Sequence, residues 1–321
     1  MTLPEPDGHD RRVLMIVNPQ AAGGRGRKLW GRLQPRLAEL AGRRFDVLLT
    51  TRSREATELS EAAAPNYDTL VAVGGDGTVN EVLNGLLRSG SNRPSLAVLP
   101  LGTGNDVAAQ LGVAEETAAV RTAFSGDRWK MDVIDVECRG IHGETRRFSS
   151  VMYVALGIAG AMGQLTTPWM KRWLGARWCY SAGFVRALVQ QREVPMRIEA
   201  DERVFQGPML LAAVGNVEAI GGGTFRLFPG AVSDDGQMEV NVVSHLSRGE
   251  TLRCFGKVQT GTHPAHPRVE YFRAKRVMIE SDPPLPLNFD GEVGGLTPVT
   301  LTLRAKALPV LRAERSHGAT G

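Results

Sequence analysis

The sequence predicts an α/β plus all-β protein. An N-terminal doubly wound α/β domain covers residues 11–130, and a C-terminal antiparallel β-sandwich-like domain covers 131–303. Three observations carry this expectation. Apolar runs at residues 13–17, 45–50, 70–73 and 96–100 each lead through a loop into a helix-like pattern, the signature of a parallel sheet with helices on both faces. Loops rich in Gly, Asn, Asp and Thr follow three of those runs, at 18–26, 74–78 and 102–106. In such a sheet they converge on the carboxyl edge, where ligands bind. After Trp129 the texture changes to short alternating runs separated by turns, which suits an antiparallel domain.

Size and composition set the outer bounds. A chain of 321 residues is long enough for two cores, and 42% hydrophobic with 22% charged residues is ordinary for a globular protein. The pI of about 9.1 is a mild basic imbalance that fits an anionic ligand or membrane surface. Cys138, Cys179 and Cys254 are scattered and odd in number, without metal-type spacing, which argues for free thiols in a reducing, cytoplasmic setting. Residues 1–12 lack the apolar core of a secretory signal. No apolar run reaches the roughly 20 residues of a membrane span.

Taken in order, residues 1–10 read as a disordered lead-in. The run Val13–Val17 stops at Asn18-Pro19, and the basic, glycine-rich loop Gln20 to Lys28 precedes a helical pattern of Leu29, Leu33, Leu37 and Leu40. This loop can hold phosphate but lacks the Gly-Lys-Ser/Thr ending of a P-loop. A strand at 45–50 and a helix at 55–64 follow. Next comes the stretch around which the chain is organised: an apolar run, then Gly74-Gly75-Asp76-Gly77-Thr78-Val79-Asn80-Glu81-Val82 opening a helix. Strand, glycine turn and helix N-terminus aim backbone amides at a phosphate. The glycines permit positive φ and close approach of a ligand. Asp76 is out of place for anion binding alone and fits the handling of Mg²⁺, water or a hydroxyl proton; a tight turn with a capping Asp is the plainer reading.

In the second half, residues 131–137 alternate Val133, Ile134 and Val136 against Asp132, Asp135 and Glu137. Further strand-like runs lie at 148–156, 196–200, 209–214, 238–243, 268–272, 277–280 and 299–303. Residues 304–313 are expected to pack back on the first domain, with a disordered tail from Glu314. One helical segment interrupts the pattern at 168–192, where Trp169, Trp173 and Trp178 interleave with Lys171, Arg172 and Arg177. Such a mixture suits a membrane interface, although a helix packing its rings on the sheet has the same composition.

Gly74 to Val82, Pro100-Leu101-Gly102-Thr103-Gly104-Asn105-Asp106 and Asn288-Phe289-Asp290-Gly291-Glu292 together resemble the diacylglycerol kinase family of lipid kinases, which includes sphingosine and ceramide kinases. The resemblance covers nearly the whole chain. It implies an ATP- and Mg²⁺-dependent kinase acting on a lipid hydroxyl, most simply diacylglycerol to phosphatidic acid, with a sphingoid base, ceramide or other lipid as alternative acceptor. A soluble-substrate enzyme of the NAD kinase type shares the glycine motif. Nucleotide contacts are implied at Asn18, Pro19, Gln20, Ala21, Ala22, Thr50, Gly75, Asp76, Gly77, Thr78, Val79, Asn80, Glu81 and Thr103. Glu292 matches the family's proton acceptor, with Asp290 in a supporting or competing role. In the sphingosine-kinase branch Asp76 would be the base. Read without the family, Asp290-Gly291 is a solvated hairpin turn. Asp235, with the carbonyls of Val232 and Gln237, matches a structural Mg²⁺ site, and a plain β-turn explains the same residues. The expected partner is a lipid at the inner membrane face, met peripherally; nucleic acid is not expected, and a homodimer is an open assembly state. The reading requires the glycine corners and the acidic turn to share one cleft, so that the alcohol reaches bound ATP.

Overall fold

The computed structural model describes residues 11–41, 45–102, 104–158, 188 and 192–313. These form two compact units, one running to Lys130 and resuming at Leu308, the other Met131–Ala307.

In the first unit, strands β1 (Val13–Val17), β2 (Asp46–Leu49), β3 (Thr69–Gly74) and β4 (Ser95–Pro100) are all parallel, in the order β2-β1-β3-β4. β1 and β3 are buried along their whole length, which is why they read as unbroken apolar runs. A short turn, α1 (Ala21–Gly24), holds Ala22 at φ 54° and Gly23 at φ 67°. Helices α2 (Gly26–Ala41), α3 (Glu55–Ala63), α4 (Asp76–Ser89), α5 (Asp106–Gln110) and α6 (Glu116–Ser125) fill the connections. α4 buries Val79, Val82, Leu83 and Leu86 on one stripe and stops at Gly90, at φ 64°. Because β1 leads to β2 on one side and pairs with β3 on the other, the chain reverses direction between β1 and β3. That reversal is the topological switch point of an open α/β sheet, and ligands bind beyond its carboxyl end.

The second unit begins within β5 (Asp127–Arg139) and is mainly antiparallel. It continues through β6 (Thr145–Ser150), β7 (Tyr153–Gly157), β8 (Val194–Ala200), β9 (Arg203–Met209), β10 (Leu211–Gly215), β11 (Met238–Val243), helix α7 (Arg248–Thr260), β12 (Val269–Ala274), β13 (Arg276–Ser281), β14 (Pro286–Phe289) and β15 (Glu292–Arg312). One row runs β12-β11-β10-β7-β14-β15; a second is formed by β9-β8-β13 and β6-β5, each joining β15. Ile134, Val136, Val154, Leu156, Val214, Val240, Val277 and Leu301 are among the buried residues of its core. The end of β15 returns to the first unit, where Val310 pairs in parallel with Leu96.

The observed architecture is thus the expected parallel α/β region followed by a mainly β domain. Three local expectations change. The run at 148–156 is two strands, broken at Val151 and Met152, because the amides there bond a side chain instead of a neighbouring strand. The alternation at 131–137 does not place Asp132 in solvent: Met131, Asp132, Val133 and Ile134 are all buried. Helix α7 was not expected. Its start is a capping box in which Ser247 accepts from the Glu250 amide and Glu250 accepts from the Ser247 amide. The aromatic and basic segment at 168–187 and the stretches before residue 11 and after 313 lie outside the described residues.

Candidate functional site

At the switch point the first unit is held together by a few side-chain bonds and close backbone contacts. Asn18, at the end of β1, donates from its backbone to Val73 O at 3.0 Å and from Nδ2 to Thr78 Oγ1 at 3.0 Å, so it ties both loops together. Its Oδ1 accepts the Gln20 amide at 2.9 Å, turning the chain into α1. Pro19 is buried and Gln20 exposed, while Ala21 is buried and Ala22 half-buried. Thr50 sits at the same edge after β2, buried, with its amide on Val17 O at 2.9 Å.

The glycines of the organising motif serve packing rather than positive φ. Gly75 has φ −100°, and neither Gly74 nor Gly77 is in the left-handed region. A Cβ on Gly74 would fall 2.3 Å from Thr78 Oγ1, so the bare backbone is what lets Thr78 fold against β3 and reach Asn18. A Cβ on Gly102 would fall 2.5 Å from Gly75 Cα. The loops after β3 and β4 therefore touch backbone to backbone. Asn105, itself at φ 56°, closes the second loop by accepting the Gly102 amide at 2.9 Å and donating to Gly102 O at 3.1 Å. The first-turn amides of a helix such as α4 have no acceptor within the helix and suit an anion.

Asp76 opens α4 and is half-buried. Its Oδ1 accepts the Val107 amide at 3.3 Å, and its Oδ2 lies 2.9 Å from where a Cβ on Gly104 would stand. The carboxylate is thus shared between the glycine corner and the start of α5. Val79 and Asn80 turn their side chains into the unit, where Asn80 accepts from Asn84. Glu81 caps α3, accepting the Arg54 amide at 3.0 Å and the Ala56 amide at 3.2 Å. Thr103 lies outside the described residues.

In the second unit, Asp290 and Gly291 are the two corner residues of the β14–β15 hairpin, at φ 47° and 83°, the left-handed pair that an Asp-Gly turn favours. The Asp of the turn is not solvated, whereas Gly291 is exposed. Asp290 is 2% exposed, and its carboxylate accepts from Ser150 Oγ at 2.6 Å and from the amides of Val151, Met152 and Tyr153 at 3.1, 3.0 and 3.1 Å. Those donors come from the break between β6 and β7. One buried carboxylate thus explains why that run is interrupted, and its oxygens are committed to holding the turn. Glu292, cross-strand from Phe289, opens β15 with its side chain exposed. The structure separates the two acids that the sequence left together: Asp290 supports the turn, and Glu292 is presented outward.

Asp235 sits in a loop whose geometry depends on a residue the sequence reading passed over. Asp132, fully buried, accepts the Gly236 amide and the Lys306 amide, each at 2.7 Å, and its own amide donates to Ser233 O. The signal was an acid inside an otherwise apolar run. Asp235 Oδ1 accepts the Gln237 amide at 3.0 Å, and Oδ2 lies 3.5 Å from Arg273. Val232 is exposed. Among the described residues no group of three His, Cys, Asp or Glu is arranged to hold a metal. One carboxylate with backbone carbonyls fits Mg²⁺ only if waters complete its shell. The glycine corner, by contrast, sits at the start of a helix, where backbone amides suit the phosphates of a nucleotide.

Comparison with known proteins bears on the family and the fold. Residues 12–136 match the model of the diacylglycerol kinase catalytic domain, and residues 142–312 match that of the YegS C-terminal NAD kinase beta sandwich-like domain. A diacylglycerol kinase of Staphylococcus saprophyticus is 32% identical over 296 residues, covering 90% of this chain and 91% of that protein. One from Staphylococcus aureus is 33% identical over 296 residues, covering 90% and 88%. A putative diacylglycerol kinase from Bacillus anthracis shares the fold with a TM-score of 0.78 at 24% identity, covering 97% of this chain and 98% of that one. A second structure, also a putative diacylglycerol kinase from that organism, has a TM-score of 0.75 at 26% identity, covering 94% and 97%. The chain belongs to the diacylglycerol kinase catalytic domain family.

Proposed function

We propose that this chain transfers the γ-phosphoryl group of ATP to the free hydroxyl of diacylglycerol, forming phosphatidic acid. The observation that carries the assignment of chemistry is the division of labour in Asp290-Gly291-Glu292. Asp290 is buried on its four donors, and Glu292 is exposed at the next rung. A base must accept a proton and exchange it with solvent, which suits Glu292 and not Asp290. The lipid oxygen attacks the γ-phosphorus, its proton passes to the Glu292 carboxylate, and the bond to the β-phosphate oxygen breaks to release ADP.

On the nucleotide side, the backbone of Asn18 to Ala22, the corner Gly75-Asp76-Gly77 and the first turn Thr78 to Glu81 would hold the phosphates, with Thr50 and Thr103 as further contacts. Mg²⁺ bound with ATP would neutralise phosphate charge, and Asp76 is the carboxylate placed to meet it. Asp235, with the carbonyls of Val232 and Gln237, is assigned to a second, structural Mg²⁺. Among the described residues no helix is long and apolar enough to cross a membrane. We assign the enzyme to the cytoplasmic face, where it meets its lipid peripherally.

Incubation with γ-labelled ATP and Mg²⁺ against mixed micelles of diacylglycerol, sphingoid bases or ceramide tests the reading. Label is expected in phosphatidic acid. Label only in another lipid would change the acceptor, and label in none would overturn the assignment.

A further inference from the structure

Strand β6 carries a second charged group toward the acidic hairpin. Arg146, Phe148 and Ser150 alternate along one face of β6, paired with Cys138, Val136 and Ile134 of β5, all of which are buried. Ser150 holds Asp290, and the Phe148 ring packs at a tilt against Phe289 with centroids 4.2 Å apart. The third residue of this ladder is an arginine. Its guanidinium lies 5.9 Å from the centre of the Phe148 ring, and Nη1 lies 3.3 Å from where a Cβ on Gly294 would stand. Gly294 follows Glu292 by two positions on β15, so it shares that strand face, roughly one 7 Å repeat away.

Arg146 is half-buried on that face. The adjacent Arg147 is paired with Glu137, whereas Arg146 makes no ion pair among the described residues. A ring lies beneath the planar fork and a glycine beside it. Such a fork matches the oxygens of a phosphate.

Resting on the lipid-kinase reading, we propose that Arg146 binds the phosphomonoester group of the phosphorylated lipid, beside Gly294 and one strand repeat along β15 from Glu292. The site distinguishes product from substrate by charge. It holds the new phosphate as the alcohol is converted.

The test is calorimetric binding of dihexanoyl phosphatidic acid, dihexanoylglycerol and ATP to the wild-type protein, Arg146→Ala and Arg146→Lys. Thermal unfolding of each variant confirms that it is folded. Wild type is expected to prefer the phosphorylated lipid by at least about tenfold, the scale of a charge-assisted hydrogen bond. Arg146→Ala should lose that preference and Arg146→Lys should keep part of it, with ATP affinity unchanged in both. A preference that survives Arg146→Ala overturns the proposal, as does a loss of ATP affinity in place of lipid affinity. If wild type labels diacylglycerol yet binds both lipids equally, the arginine assignment falls and the kinase reading stands. If it labels no lipid and binds neither, both fall.

Discussion

Two of the chain's Asp-Gly dipeptides, Asp76-Gly77 in the first unit and Asp290-Gly291 in the second, behave oppositely. Asp76-Gly77 opens helix α4 with ordinary backbone angles, and its carboxylate is half-buried beside a corner made of bare glycine backbone. Asp290-Gly291 is a left-handed hairpin corner whose carboxylate is buried on four donors. One region packs bare glycine backbone of two loops together, while the other uses a side chain to satisfy backbone amides. The local sequence is the same, so the difference comes from what each dipeptide follows. Asp76 follows a buried parallel strand that feeds a helix, and Asp290 follows an antiparallel strand lying against the break between β6 and β7.

Breaking the second region should have the largest effect. Asp290→Ala leaves the Ser150 hydroxyl and three amides without their acceptor, each worth about 1–3 kcal/mol when buried. Thermal or urea unfolding should show a loss of several kcal/mol, or a protein that does not fold. Asp290→Asn keeps the oxygen that three donors share and opposes one amide with its own NH₂, so its loss should be about 1–3 kcal/mol. Equal stability of Asp290→Ala and wild type would refute the supporting role.

A second buried polar residue gives the next effect, as a dependence on pH. His263 is 1% exposed with Nε2 on Asn241, and burial pushes its pKa down to about 4. The folded value lies below the unfolded one, so only the unfolded chain takes up the proton between pH 6.5 and 4. Stability is therefore full above pH 6.5 and falls as pH drops through that window, by up to about 1.4 kcal/mol per pH unit. His263→Gln should flatten that slope in urea unfolding measured across pH.

The first region should respond in binding more than in stability. Gly102→Ala drives a Cβ to 2.5 Å from Gly75 Cα, so the two loops must part. ATP affinity should fall by about tenfold or more, equivalent to 1.4 kcal/mol, measured by calorimetry. Gly75→Ala meets Gly102 Cα at 3.2 Å and should lose less. Smallest of all, Ser247→Ala removes a capping-box hydroxyl and should lower stability by about 1 kcal/mol without changing turnover.

Much of this was legible in the residues because it follows from local pattern. The buried runs of β1 and β3, the loops at their carboxyl ends and the stripe of α4 are all short-range signals. What was hidden depends on contacts distant in sequence. The break in the run at 148–156 is caused by an acid about 140 positions later. The loop carrying Asp235 is held by Asp132, which an alternation rule sends to the surface. The glycines of the organising motif read as a ligand corner, whereas the structure shows them admitting Thr78 and Gly102, partners the motif alone does not name. Helix α7 had a visible start signal in Ser247 and Glu250 that went unused.

Glu292→Gln tests the central claim most directly, because it removes the proposed proton acceptor while leaving the buried Asp290 and the glycine corner untouched. Single-turnover transfer of labelled phosphate to diacylglycerol should fall at least about a hundredfold, the scale of general-base catalysis, with ATP affinity unchanged. Transfer at the wild-type rate would show that the proton leaves by another route and would contradict the account.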